Sequence, residues 1–312
     1  METLLFSLSV VFPMLILFVV GYMIKALGWM DDKALRQLNT VNFRIFMCVM
    51  LFRNTARMDL SQLHLGKVIV FSLLASGALL IISVLYVNRT EPDSQKRSVL
   101  IQTLYRSNYA IFGIHIIESM YGAEATALPS LLSCLLIPLY NCSAIIIIEM
   151  NRGIKVTPML LLREVIKNPL IIGSGLGLIA AAFRLQIPEL LWSPINTIGS
   201  IGSPIALIVL GAGFSFPNLG KYKSYIIKYC FLRLVGVGLI FIPLAVLIGL
   251  REAELASVLG FLITPISTSI HVMTQQLGGD DNLSSLLVVL TSVFSILTIF
   301  LWIYLLLLLG LL

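Results

Sequence analysis

Two short polar clusters interrupt long apolar stretches of this chain, and they are the residues best suited to chemistry. Arg106-Ser107-Asn108-Tyr109 stands in the middle of one apolar segment and is followed by Gly113 and His115. Ile263-Thr264-Pro265-Ile266-Ser267-Thr268-Ser269 puts a proline and four hydroxyl side chains in the middle of another. Proline removes a backbone donor and clashes with the preceding turn, which frees carbonyls to coordinate something. A broken helix survives in hydrocarbon only where it is buried or lines a wet cavity. A proline kink satisfied by neighbouring serines and threonines is the plainer account of the second cluster taken alone.

The two clusters occupy equivalent places. The second half of the chain repeats the first at a shift of 156 or 157 residues: Pro13 answers to Pro169, Asn39 to Asn196, Asn108 to Pro265, His115 to His271, and Tyr121-Gly122 to Leu277-Gly278. Each half holds five apolar segments. An odd number of spans inverts the second half relative to the first, the inverted-repeat plan of many secondary transporters. Polar breaks at matching positions of two inverted halves would then cross near the bilayer midplane. Half-helix N-termini there carry partial positive charge and suit an anionic group. The expected substrate residues are Ser107, Asn108, Tyr109, Thr264, Pro265, Ser267 and Thr268, with Asn141 of the fifth segment facing the cavity and Arg106 attracting a carboxylate.

His115 and His271 share a repeat position between aliphatic neighbours. They are either a titratable pair able to couple transport to protons or two neutral, hydrogen-bonded packing groups. Arg44 and Arg233 are the other intramembrane cations, and structural pairing or snorkelling accounts for them. Glu118 is the main acid within the spans, so a sodium site would have to rely on Asn, Thr, Ser and backbone carbonyls. Cys48, Cys134, Cys142 and Cys230 show no metal-ligand or disulfide spacing, and no cofactor motif or nucleotide-binding loop is present.

The elements that position these residues follow from composition. The chain is 58% hydrophobic and 12% charged, about half the roughly 25% charge of soluble domains, and its mean hydropathy is +1.00. This is an all-α integral membrane protein. Segments of roughly 20 apolar residues are long enough to span, and ten are expected: 4–27, 35–52, 67–87, 99–121, 127–150, 168–183, 195–214, 225–250, 253–277 and 283–311. The repeats are 1–155 and 156–312, with a polar connector from Glu149 to about Lys167. The first segment lacks a basic leader and a clear cleavage site, and reads as a retained span. The loops after spans one, three, five and seven hold thirteen basic residues: Lys25, Lys33, Arg36, Arg89, Lys96, Arg97, Arg152, Lys155, Arg163, Lys167, Lys221, Lys223 and Lys228. The opposite side holds five: Arg53, Arg57, Lys67, Arg184 and Arg251. This bias places the first group in the cytoplasm and both termini outside. It also accounts for the net charge of +6 without a nucleic-acid partner.

Ser107-Asn108-Tyr109-Ala110-Ile111-Phe112-Gly113 resembles the Gly-Asn-x-Gly-Phe-x-Gly stretch of the auxin efflux carrier family. Thr264-Pro265 through Gln275-Gln276-Leu277-Gly278-Gly279-Asp280 is similar to that family's ninth-helix proline and Tyr-Gly-Gly-Asp ending, and Leu38-Asn39 to Leu51-Phe52 fits its second helix. The resemblance covers the whole chain. It implies ten helices, a scaffold of spans one, two, six and seven, and a transport unit of spans three to five and eight to ten that contains the crossed fourth and ninth. It also implies elevator-like movement of small organic anions, and it leans towards a homodimer in membrane lipid. Asn108 and Pro265 match crossover positions, and Asn141 lies in a helix that flanks the family's site. The family usually has proline where His115 and Cys48 stand, so the fourth helix here is expected to be distorted, with its unwinding left open.

The expectation is a secondary active or facilitative carrier of a small carboxylate in the cell membrane, working as an exporter. The rival readings are a sodium-coupled symporter of the related bile-acid symporter fold, and a membrane sensor that binds a ligand without moving it. No His-Glu-x-x-His or nucleophile arrangement points to an enzyme.

Overall fold

A computed structural model describes residues 2–57, 65–153, 158–213 and 219–312. Lys155 and Phe214, and the expected boundary between the halves, lie outside the described residues. The described residues are almost entirely helical and contain no β-strand. The helices are α1 (Glu2–Ala26), α2 (32–56), α3 (Leu65–Thr90), α4 (Ser94–Tyr105), α5 (109–121), α6 (Ala127–Asn151) and α7 (Pro158–Lys167). They continue as α8 (Pro169–Ala182), α9 (Glu189–Ala212), α10 (Gly220–Leu247), α11 (Glu252–Leu262), α12 (Ser269–Leu277) and α13 (Asp281–Leu308).

Six of these are long and apolar enough to cross a bilayer: α1, α3, α6, α9, α10 and α13. The other expected spans differ from them for identifiable reasons. The fourth and ninth are each split, into α4 and α5 and into α11 and α12. The sixth, α8, is apolar but short. The second, α2, carries Asn39, Asn42, Arg44 and Arg53 along its length. The polar connector contains a helix of its own, α7, which leaves Met159, Leu162 and Ile166 exposed along one stripe. That is the pattern of a helix lying at an interface.

Helix ends are set by the sequence. Asp31, Asp93, Asn168 and Asp280 cap α2, α4, α8 and α13 by accepting a backbone N–H in the first turn, at 2.7, 3.0, 2.9 and 3.0 Å. Such caps satisfy donors that have no intrahelical partner. Gly122 and Gly278, repeat equivalents, end α5 and α12 with φ of 83° and 96°, a conformation that costs glycine little.

Two helix pairs pack closely, α1 against the second part of α9 and α8 against the second part of α2. Their close approach depends on glycine. A Cβ on Gly21 would overlap the carbonyl of Ile208, and one on Gly177 would overlap the carbonyl of Phe52 and the hydroxyl of Thr55. Gly21 and Gly177 are 156 residues apart, and so are Phe52 and Ile208. The neighbouring contacts behave alike. Gly211 sits on the carbonyl of Phe18, and the Thr55 hydroxyl donates to the carbonyl of Ser174 at 3.2 Å. Each contact thus maps onto its counterpart by the repeat shift.

Candidate substrate site

α4 ends at Tyr105, and residues 106–108 leave the helix before a π-helical turn (Tyr109–Gly113) restarts it. α11 ends at Leu262, and residues 263–268 are irregular before α12 begins at Ser269. The two breaks lie against each other. Ser107 and Ile266 form an isolated antiparallel bridge, and the amide of Asn108 donates to the carbonyl of Pro265 at 2.8 Å. The fourth helix is therefore fully interrupted without a proline of its own. Its freed amide is satisfied by the carbonyl of Pro265 itself, from the other break, as irregular backbone in an apolar interior requires.

The C-terminal carbonyls of α4 and α11 converge on Arg233, which has no measurable exposure. Its Nε donates to the Thr264 carbonyl at 3.1 Å, Nη1 to that of Leu104 at 3.2 Å, and Nη2 to that of Phe261 at 2.6 Å. A cation at two helix C-termini offsets their partial negative charge, so Arg233 holds the crossing structurally. Arg44 is exposed on the π-helical turn of α2.

Arg106 is placed differently. It is 1% exposed. Nη1 donates to Gln102 Oε1 at 2.7 Å and contacts Met273 Sδ at 3.4 Å, while Nη2 donates to Asn141 Oδ1 at 3.0 Å and Ser269 Oγ at 2.8 Å. Ser269 opens α12, so the guanidinium sits at a half-helix N-terminus. It pairs with no carboxylate among the described residues. Its Nε has no partner, nor does Nδ2 of Asn108, two residues on in the chain, although both atoms are buried. Asn141, Ser267, Thr268 and Ser269 are half-buried and form the accessible side of the cluster.

The remaining expected residues divide. Ser107 Oγ shares a hydrogen bond with Tyr140 Oη at 3.3 Å, and Ser267 Oγ with Ser269 Oγ at 2.8 Å. Thr264 turns inward, its hydroxyl donating to the Gly260 carbonyl at 2.6 Å, and Thr268 precedes α12 without capping it. Tyr109 is packing: its ring fills the space left by Gly113 and Gly260, meets Phe261 edge-on, and its hydroxyl donates to the Ser257 carbonyl at 3.0 Å. The two histidines differ. His271 Nδ1 bonds Ser284 Oγ of α13 at 2.9 Å, whereas His115 Nε2 is buried without a partner. Gln102, Tyr140 and Met273 were not singled out in the sequence. Gln102 was the findable one, a lone amide one turn before Arg106 in an apolar run.

A multi-pass helical membrane protein with two buried helix breaks joined backbone to backbone belongs, by construction, to the class that keeps irregular chain inside the bilayer. A family model described as membrane transport protein matches residues 6–303. The chain belongs to that family, the auxin efflux carrier family, as its motifs led one to expect, and is a membrane transporter. No curated protein sequence matches it.

Proposed function

We propose that this protein is a ten-helix secondary carrier of small organic carboxylates, built as two inverted five-helix repeats and working as an exporter by elevator-type movement. The observation that carries the reading is the pair of buried, unpartnered donors at the crossing, Arg106 Nε and Asn108 Nδ2. A buried charge without a counter-ion costs several kcal/mol, and a carboxylate supplies both the charge and the acceptor lone pairs. The shift-related contacts of Gly21 with Ile208 and Gly177 with Phe52 support the inverted repeat. They also support a scaffold of α1, α2, α8 and α9, with the crossing carried on the remaining helices. The basic bias of alternate loops supports termini outside the cell membrane. His115 and His271 are the groups through which protons would couple, and a homodimer is the expected assembly.

The test is flux in proteoliposomes. Malate, malonate, succinate and indole acetate would be offered under imposed pH or sodium gradients, beside Asn108→Ala and Arg106→Gln. Saturable flux lost in both variants is the expected result, and the effective gradient names the coupling ion. Saturable binding without flux would instead make the protein a sensor, and no response from folded protein would overturn the carboxylate reading.

A further inference from the structure

The first turns of α10 border an open, shallow surface groove of about 590 Å³, whose described lining is Gly220, Lys221, Lys223, Ser224, Ile227 and Lys228. No acidic side chain lines it, and none of the three lysines forms an ion pair among the described residues. Lys96, the nearest lysine of α4, is excluded because it pairs with Asp93 at 3.2 Å.

The lysines are staggered in depth. Lys221, Ser224 and Lys228 are spaced three and four residues apart, so they share one helix face. Lys228 lies about 10 Å further along the helix than Lys221. It sits inside a segment apolar enough to span a bilayer, its ammonium 5.0 Å from the ring centre of Tyr86 and 5.5 Å from that of Tyr229. Lys221 lies 5.2 Å from the ring of Tyr222. Along the same face Ile227, between the lysines, is 61% exposed, and Phe231, beyond the deepest lysine, is 58% exposed. Exposed cations beside aromatic rings, with exposed apolar side chains among and beyond them, offer a phospholipid both headgroup and acyl-chain contacts.

We infer that this groove binds an anionic phospholipid, its phosphodiester held between Lys228 and Ser224, its headgroup reaching Lys221 and Lys223, and an acyl chain lying on Ile227 and Phe231. The inference stands apart from the transport reading, because no residue of the crossing takes part in it.

Native mass spectrometry and thermal shift on the purified protein would test it, with phosphatidylglycerol compared against phosphatidylcholine at low and high salt. Wild-type protein is expected to prefer the anionic lipid, with a preference that weakens as salt rises. The variant carrying Lys221→Gln, Lys223→Gln and Lys228→Gln should lose roughly fivefold in affinity per lysine. All three side chains are exposed, so the fold should survive, which the variant's melting without lipid would verify. A charge-matched control, Lys33→Gln with Arg36→Gln and Lys167→Gln, should bind as wild type. The inference is overturned if the control loses as much as the groove variant, or if the groove variant binds unchanged. Displacement of the lipid by inorganic phosphate at comparable concentration would also overturn it, by showing a site for free anions.

Discussion

The amide of Asn108 donates to the carbonyl of Pro265 at 2.8 Å, and these two residues hold the same position in the two halves of the sequence. Contact between residues matched by the repeat shift fits the proposed inverted repeat, since only residues near a pseudo-two-fold axis can touch their own counterparts. The proline that breaks one half therefore serves both: its residue supplies the acceptor that replaces the lost helical partner in the other.

Pro265→Ala tests that dependence. Alanine removes a helix penalty of roughly 3 kcal/mol and lets residues 263–268 rejoin α11. The carbonyl of residue 265 should then turn back into the helix, and the amide of Asn108 should exchange its hydrogen faster in hydrogen–deuterium exchange. Unchanged protection of that amide would show that the break does not need the proline.

Arg233→Gln should be among the most damaging substitutions outside the candidate site. Glutamine cannot reach Thr264, Leu104 and Phe261 together, and each buried carbonyl left bare costs about 1–3 kcal/mol. A loss of about 3 kcal/mol or more is expected in thermal or denaturant unfolding in detergent. Arg44→Gln, on an exposed side chain, should stay within about 0.5 kcal/mol.

The helix pairs predict a contrast between two glycines of α8. Gly177→Leu forces a side chain into the backbone of α2 and should destabilise by about 1–3 kcal/mol or more. Gly175→Ala meets nothing within 4 Å and should be neutral or gain up to about 1 kcal/mol from helix propensity. Melting temperatures of the two variants, measured together, check both.

Arg53 Nη2 of α2 stands 3.7 Å from Glu118 Oε1 of α5, while its Nε donates to Asn54 Oδ1 at 2.9 Å. The pair links the proposed scaffold to the proposed moving part. A double-mutant cycle on Arg53→Gln and Glu118→Gln should give a coupling of about 1 kcal/mol. Additive effects would show that the two charges act independently.

The sequence alone determined much of the architecture. Its hydropathy and its polar clusters marked the all-helical membrane character and the places of both interruptions, because length and burial of apolar segments are local properties that a bilayer enforces one segment at a time. That the fourth helix is fully interrupted, and that the connector forms α7, came only with the structure. Its motifs placed the chain in its family. The role of each polar residue was decided only by tertiary structure. Arg106 and Arg233 look alike as cations in apolar runs, yet one caps three carbonyls and the other keeps a donor free. Tyr109 adjoins Asn108 in sequence, yet its ring fills the space between two glycines, one of them 151 residues away. Where a buried side chain finds its partner depends on which helix crosses it and at what height, and some of those partners, such as Leu104 for Arg233 and Ser269 for Arg106, lie in the opposite half of the chain.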